Sequence, residues 1–331
     1  MWIALGILFL SAIFGATLGP AGLDPWQVIR EILGSALLVD EPSSLSATER
    51  AILWELRVPR VVLGGLVGAM LSVAGASYQG VFRNPLADPY LLGVAAGAGL
   101  GATIVIAYVP DPSARVLPFA AFAGAVVAVA LAYAVGRSMG GRSPLTLILA
   151  GIAIASFFTA LQTYLQQRNA ETIRQVYTWI LGRLATAGWS EVLTLAPYVV
   201  VCAIVLVLYR RLLDVLSVGD AEADSLGMSS GRVRLIVVIF ATLGTAAAVA
   251  VSGLIAFVGI VVPHTVRLMV GTSYRSLIPL SMVFGAAFLI LADLAARTIA
   301  APAELPIGVI TAFIGAPFFV FILRTSLRSI G

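Results

Sequence analysis

RRLLDVLSVGDAEADSLGMSSGRVR, from Arg210 to Arg234, is a polar stretch set between two apolar runs of membrane-spanning length. Arg210 and Arg211 open it and Arg232 and Arg234 close it. Between them lie Asp214, Asp220, Glu222 and Asp224, interleaved with Leu213, Leu216, Ala221, Ala223 and Leu226. Basic borders place the stretch on the cytoplasmic side of a membrane. Apolar residues at helical spacing, interrupted by Ser217, Gly219, Gly227 and Gly231, predict two short helices joined at glycine turns. Such a compact knob calls for a partner surface; an ordinary solvated loop is the plainer alternative.

Composition says why a membrane is involved. The chain has 331 residues, of which 60% are hydrophobic and 11% charged, and its mean hydropathy is +1.04. One water-soluble core cannot hide that much apolar surface, so lipid is the solvent for much of it. All twenty basic residues are arginine. The lack of lysine excludes a phosphate-loop GxxxxGK[ST] and a Schiff-base lysine, so this chain has no nucleotide-hydrolysing loop of its own. A single histidine, His264, and a single cysteine, Cys202, exclude multi-histidine and multi-cysteine metal sites and any disulfide framework within the chain. The basic balance fits arginines that hold loops at the inner membrane face, not a nucleic-acid partner.

Ten spans follow from the apolar runs. They are Trp2 to Leu18, Val61 to Phe82, Leu91 to Val109, Val116 to Val135, Leu145 to Leu165, Val192 to Leu208, two within Leu235 to Val270, Ile278 to Ala296 and Ile307 to Leu323. The first reads as a retained helix, since it has no basic n-region and no clean A-x-A exit. The run from Leu235 to Val270 would reach about 54 Å as one helix against a hydrocarbon core of about 30 Å, so it divides near Ser252 and Gly253. With both termini inside, the inner side holds eleven arginines against five acids and the outer side nine against eleven. The positive-inside rule supports that orientation. Residues 20–57 form an acidic outer loop, and residues 1–331 form a single transmembrane domain. Runs of small residues such as Gly64, Gly65, Gly68, Gly75 and Gly80 predict closely packed helices.

At the inner end of the second span stands Gln79-Gly80-Val81-Phe82-Arg83-Asn84-Pro85-Leu86-Ala87-Asp88-Pro89, followed by Leu91-Leu92-Gly93. It resembles the Q-x-x-F-x-N-P-L-A-x-P-x-x-L-G signature of FecCD-type permeases, the transmembrane subunits of ABC importers for iron siderophores, haem and cobalamin. Further blocks agree. Arg57-Val58-Pro59-Arg60 resembles the family's R-x-P-R, and Ala223, Leu226 and Gly227 its A-x-x-L-G. Phe257, Gly259, Pro263, His264 and Arg267 resemble F-x-G-x-x-x-P-H-x-x-R, and Glu304, Pro306 and Gly308 the E-x-P-x-G of its last helix.

The resemblance implies an all-α integral membrane protein with ten transmembrane helices and short extra helices in the loops, paired as a homodimer around one pathway. It implies as partners a second copy of the chain, two separate ATPase subunits that bind ATP and magnesium, and an extracytoplasmic substrate-binding protein. No cofactor belongs to this chain, which is a non-catalytic subunit, multi-pass in the inner membrane of a bacterium or archaeon. Arg57, Arg60 and Arg297 correspond to positions that receive glutamates of the binding protein; anchoring of helix ends is the plainer alternative. Asp220, Ala221, Glu222, Ala223, Leu226 and Gly227 correspond to the segment that couples to the ATPase. Asn84 and Leu86 correspond to a cytoplasmic gate, at a helix break that Pro85 and Pro89 enforce. Ser143 to Thr146 lies where the family has another constriction, although Pro144 departs from its pattern.

Between the fifth and sixth spans, Gln162, Gln166, Arg174 and Arg183 are pathway candidates on a segment that resembles the family's short helix with W-x-x-G, here Trp179 and Gly182. Two copies of Arg183 near an axis would favour an acidic cargo, whereas a surface arginine at a helix end is the plainer alternative. His264 reads as a packing residue before a haem ligand or pH sensor, and Cys202 as a small buried hydrophobe. The function expected is inward transport of a metal chelate, a ferric siderophore before haem or cobalamin. An ion-coupled secondary transporter is the rival from another class. It would need intramembrane carboxylates, and Asp293 is the one acid well inside an apolar span. A membrane-embedded enzyme would need a convergent His, Cys or Lys cluster that the sequence lacks.

Overall fold

The computed structural model describes residues 1–19, 22–36, 45–110, 115–139, 144–182, 184 and 188–328, and among them there is no strand. Helix α1 (Trp2–Thr17) and the amphipathic α2 (Pro25–Ala36) precede α3 (Ala47–Ala51), which runs through a π-helical turn (Ile52–Arg57) into α4 (Val58–Phe82). Then come α5 (Val94–Tyr108), α6 (Val116–Ser138), α7 (Pro144–Arg168), a 3-10 turn (Ala170–Thr172) and α8 (Ile173–Ile180). The rest are α9 (Trp189–Val218), α10 (Asp220–Ser225), α11 (Ser230–Ser252), α12 (Val258–Val270), α13 (Tyr274–Thr298) and α14 (Ile307–Arg328).

Six helical stretches are long and apolar enough to cross a membrane: Ala47–Phe82, Val116–Ser138, Leu145–Arg168, Trp189–Val218, Ser230–Ser252 and Tyr274–Thr298. Four shorter apolar helices, Trp2–Thr17, Val94–Tyr108, Val258–Val270 and Ile307–Ile322, occupy the remaining expected spans. A 13-residue helix such as α12 rises only about 20 Å, less than the hydrocarbon thickness.

Helix α4 is the hub, buried along almost its whole length and packed by α9, α11, α12 and α13. Glycines make this possible. A Cβ on Gly75 would lie 2.0 Å from the Gly259 carbonyl oxygen of α12, so the two backbones touch only because no side chain intervenes. The division inside Leu235 to Val270 falls where expected: α11 stops at Ser252, Gly253 adopts φ +71, and Phe257 starts α12 from a left-handed conformation.

Three expected boundaries move. The second span begins at Ala47 instead of Val61, because Ser46 and Glu49 form a capping box that starts a helix inside the expected outer loop. The third begins at Val94, after Gly93 turns the chain at φ +87. Within Arg210 to Arg234 there is one short helix, not two. Leu213 and Leu216 are fully buried, so α9 continues through them to Val218 before Gly219 breaks it at φ +145.

Candidate functional site

Two polar clusters lie at opposite ends of the bundle, named inner and outer from the arginine count. At the outer end Arg60, in the first turn of α4, is clamped by two acids. Its Nε and Nη2 donate to Asp293 at 2.9–3.0 Å, and its Nη1 and Nη2 donate to Glu304 at 3.1 Å. Asp293, on α13, also stands 3.5 Å from Arg297 Nε. Arg57 donates through Nη1 to the Ala16 and Thr17 carbonyls at 3.1 and 2.7 Å, and Arg297 through Nη2 to the Gly15 carbonyl.

Arg57 and Arg297 thus close on the end of α1, and Arg60 is joined to Arg297 through Asp293. Arg57 and Arg297 are only 5% and 3% exposed; their donors satisfy the last α1 carbonyls, which have no partner within their own helix. Asp293 is 3% exposed with both oxygens engaged. Its charge is neutralised by guanidinium groups, which leaves no open carboxylate for a coupling ion.

The inner end gathers the sequence motifs. Gln79 donates through Nε2 to the Gly259 carbonyl at 3.2 Å and accepts from Arg267 Nη2 at 2.8 Å. The first residue of one motif therefore meets the last arginine of another. After Phe82, Arg83 caps α4 in a left-handed conformation at φ +50. Asn84 Oδ1 then accepts the Leu86 amide at 2.9 Å, and the Asn84 carbonyl accepts the Ala87 amide at 3.0 Å, so the turn is tightly bonded. Asn84 is exposed and Leu86 half-buried. Tyr90 Oη donates to the Ile255 carbonyl at 3.0 Å, tying this turn to the break between α11 and α12. His264 is half-buried with its ring edge-on to Phe318, the centroids 5.9 Å apart, a packing contact of the kind expected of it.

The knob is α10, flanked by Gly219 at φ +145 and Gly227 at φ +81. Ala223 is fully buried and seats the helix, while Ala221, Glu222 and Leu226 face outward, Leu226 at 72% exposure. Asp224 Oδ1 accepts the Ser230 amide at 2.9 Å and so caps α11. The Ser230 amide and hydroxyl hold that carboxyl below its ordinary value. Asp220 reaches back to Arg234 at 2.7 and 2.8 Å. Asp214, to which sequence reasoning gave no role, accepts the Tyr274 amide at 2.6 Å and the Ser273 hydroxyl at 3.0 Å, capping α13. An acid just beyond an apolar span carries no local signal of that role, because the helix it caps lies far along the chain.

The pathway candidates separate. Gln162 is buried at 8%, packed on Gly99 of α5, Gln166 is half-buried near the end of α7, and Arg174 is exposed on α8. Arg183 and Ser143 lie outside the described residues. The short helix expected there is α8, with Trp179 buried and Gly182 at φ +77. The neighbouring Leu181 carbonyl accepts the Gly308 amide at 3.0 Å, which joins it to α14. Sequence reasoning missed a shallow, open groove of about 710 Å³ between Asp88 and Tyr90 and the Ile152, Ser156, Thr159 and Thr163 side of α7.

Such a bundle is that of a multi-pass membrane protein, with apolar spans, no open intramembrane acid among those described, and polar turns at both ends. The chain belongs to the FecCD transport family, which matches residues 7–325. It is 40% identical over 91% of its length to the cobalamin import system permease protein BtuC of Halobacterium salinarum, covering 79% of that protein. It is 37% identical over 98% of its length to the iron(3+)-hydroxamate import system permease protein FhuB of Bacillus subtilis, covering 82% of it. To the Fe(3+) dicitrate transport system permease protein FecD of Escherichia coli it is 38% identical over 82% of the chain and 85% of the relative. Among solved structures, an inward-facing ABC transporter of metal-chelate type superposes with TM-score 0.85 at 29% identity, over 98% of both chains.

Proposed function

We propose that this chain is the membrane subunit of an ABC importer that carries a metal chelate, a ferric siderophore, into the cytoplasm. Cobalamin and haem are the alternatives within the same reading. The observation that carries it is the α10 knob: a short helix between two glycine hinges at the arginine-rich end, with Leu226 and Val218 exposed at 72% and 67%. Exposed apolar side chains on a hinged polar knob fit a cleft in a partner protein. A chain without a phosphate loop has its energy source in such a partner, an ATPase subunit that binds ATP and magnesium.

In this reading two copies of the chain, each with ten spans, enclose the pathway. Support comes from the α7 face, where Ser156, Thr159 and Thr163 are exposed beside the Asp88 groove; polar groups there suit a water-filled path shared with a second copy better than lipid. Asn84 and Leu86 form the inner gate, which opens and closes as the two knobs move together, giving alternating access. Gln166 and Arg174 stand nearer the outer mouth. Arg57, Arg60 and Arg297 receive carboxylates of a binding protein, which would take the place of the α1 carbonyls and of Glu304 on these guanidinium groups.

Native mass spectrometry of the complex, expressed with its genomic neighbours and isolated with cargo, tests the reading. A mass of two copies of this chain, two ATPases and one binding protein is expected, with a residual mass that selects siderophore, cobalamin or haem. A chain that retains no ATPase under conditions that preserve such assemblies refutes it. A Leu86→Gly variant should leak cargo from loaded vesicles, and an unchanged leak removes Leu86 from the gate.

A further inference from the structure

We propose that the ion pair between Asp220 and Arg83 links the α10 knob to the gate turn, making Arg83 a positioning residue for the gate. The proposal rests on the reading of α10 as the ATPase contact and of Asn84 and Leu86 as the gate.

Three observations meet here. First, the knob lies between glycine hinges and is tied to the base of α11 at Asp220, at Asp224 through Ser230 and by the buried Ala223, so the two move together. Gly219 and Gly227 hold it through positive φ angles, whereas Asp220, its first residue, is bound at 2.7 and 2.8 Å to Arg234, whose side chain is only 4% exposed at the base of α11. A displacement of α10 is therefore felt at Asp220. Second, the same carboxylate faces the gate turn, with Asp220 Oδ1 3.9 Å from Arg83 Nη2. That distance is beyond a direct hydrogen bond but within reach of charge attraction, which solvent weakens because the two side chains are 38% and 34% exposed. A movement of about 1 Å toward Arg83 would make a charge-assisted bond, and one away would release it.

Third, Arg83 is the first residue beyond α4 and opens the turn that carries Leu86. Helix α4 is buried to its last residue, Phe82, at 5% exposure, and is braced at Gln79 by Arg267 and Gly259, so it resists displacement. The amides of Arg83, at φ +50, and of Asn84 bond back to the Gly80 and Gln79 carbonyls, while Asn84 accepts the Leu86 and Ala87 amides, so one chain of hydrogen bonds runs from the end of α4 to Leu86. A pull on the Arg83 guanidinium, whose side chain lies outside that backbone ladder, is passed along the bonded turn. The gate side chain Leu86 moves with it, because its amide is bonded to Asn84. A basic residue at a helix C-terminus also interacts favourably with the helix dipole. That role alone would not require Asp220 or involve α10.

The test follows the gate, not the cargo. Leu86→Cys is introduced with Cys202→Ala, so that the probe is the sole thiol, and the full complex is assembled with its ATPase. Labelling of the introduced thiol by a maleimide is compared between nucleotide-free and vanadate-trapped states. The expected result is a several-fold difference in labelling rate that Arg83→Gln abolishes while ATP hydrolysis continues and Arg83→Lys preserves. Asp220→Asn added to Arg83→Gln should produce no further loss. The proposal is overturned if Arg83→Gln keeps the nucleotide-dependent difference. It is equally overturned if that variant no longer retains the ATPase, since Arg83 would then shape the knob and not transmit from it. No difference before Arg83 is changed would refute the gate assignment itself, whatever the role of Arg83.

Discussion

Replacing Asp293 with asparagine keeps its shape and removes its charge, so it isolates the electrostatics of the outer cluster. Asp293 is 3% exposed and is shared by Arg60 at 2.9 Å and Arg297 at 3.5 Å. In the variant Arg60 still has Glu304, at 3.1 Å. Arg297, its side chain 4% exposed, keeps only its bond to the Gly15 carbonyl. At an effective dielectric constant near 20, two unit charges 3.5 Å apart attract by about 5 kcal/mol. Removing one member of a buried pair costs about 3 to 5 kcal/mol, because the other charge is left uncompensated. At roughly 2 °C per kcal/mol, the low end for large domains, the melting point should fall by about 6 to 10 °C.

Cys202 supplies the assay. It is the sole cysteine and is 2% exposed, so a thiol-reactive fluorophore reports unfolding from one buried site. A second variant, Asp293→Asn with Arg297→Met, removes the stranded charge and should regain part of the loss. A fall of less than about 2 °C for the single variant, or a double variant less stable than the single, would refute the view that this cluster is a charge-balanced unit.

Gly75→Ala places a methyl group against the Gly259 carbonyl oxygen and should cost about 1 to 3 kcal/mol by overpacking. Gly6→Ala, with open space around it, should cost nothing in the same thiol melt. Tyr90→Phe removes the bond to the Ile255 carbonyl and leaves that acceptor unpaired, a loss of roughly 1 to 3 kcal/mol by the same measurement. Ser230 holds the Asp224 carboxyl below its ordinary value, so the native protein binds that proton less readily than the unfolded chain. The cap is therefore at full strength above the ordinary carboxylate range and is lost as pH falls through the lowered native value. Protection of the Ser230 amide in hydrogen exchange, corrected for intrinsic rate, should fall over that acidic window in the native protein. Asp224→Asn should show no such fall.

Length and hydropathy alone located the long spans, because each must be apolar over the thickness of the hydrocarbon core, whether it faces lipid or, like α4, other helices. The break at Ser252 and Gly253 was legible for the same reason: no single crossing accommodates the whole run from Leu235 to Val270. The helical knob was legible only in part. Spacing marked Leu213 and Leu216 as helical but not that they continue α9, since a periodicity does not say whether one helix ends and the next begins. Composition also told that this chain has no phosphate loop of its own, because a sequence without lysine has no phosphate-loop lysine.

The contacts that give the motifs their meaning were decided by the tertiary structure. Gln79 and Arg267 stand 188 positions apart and Arg60 and Asp293 233 apart, and which face of each helix meets which depends on the rotation of packed helices. Glycine at Gly75 and Gly259 permitted a close approach, but only packing selected that pair. Asp293 shows the difference most directly. In the sequence it is one acid in an apolar span, open to reading as a coupling-ion site; in the folded protein two guanidinium groups neutralise it, because a charge withdrawn from water is tolerated only where the fold brings it a partner.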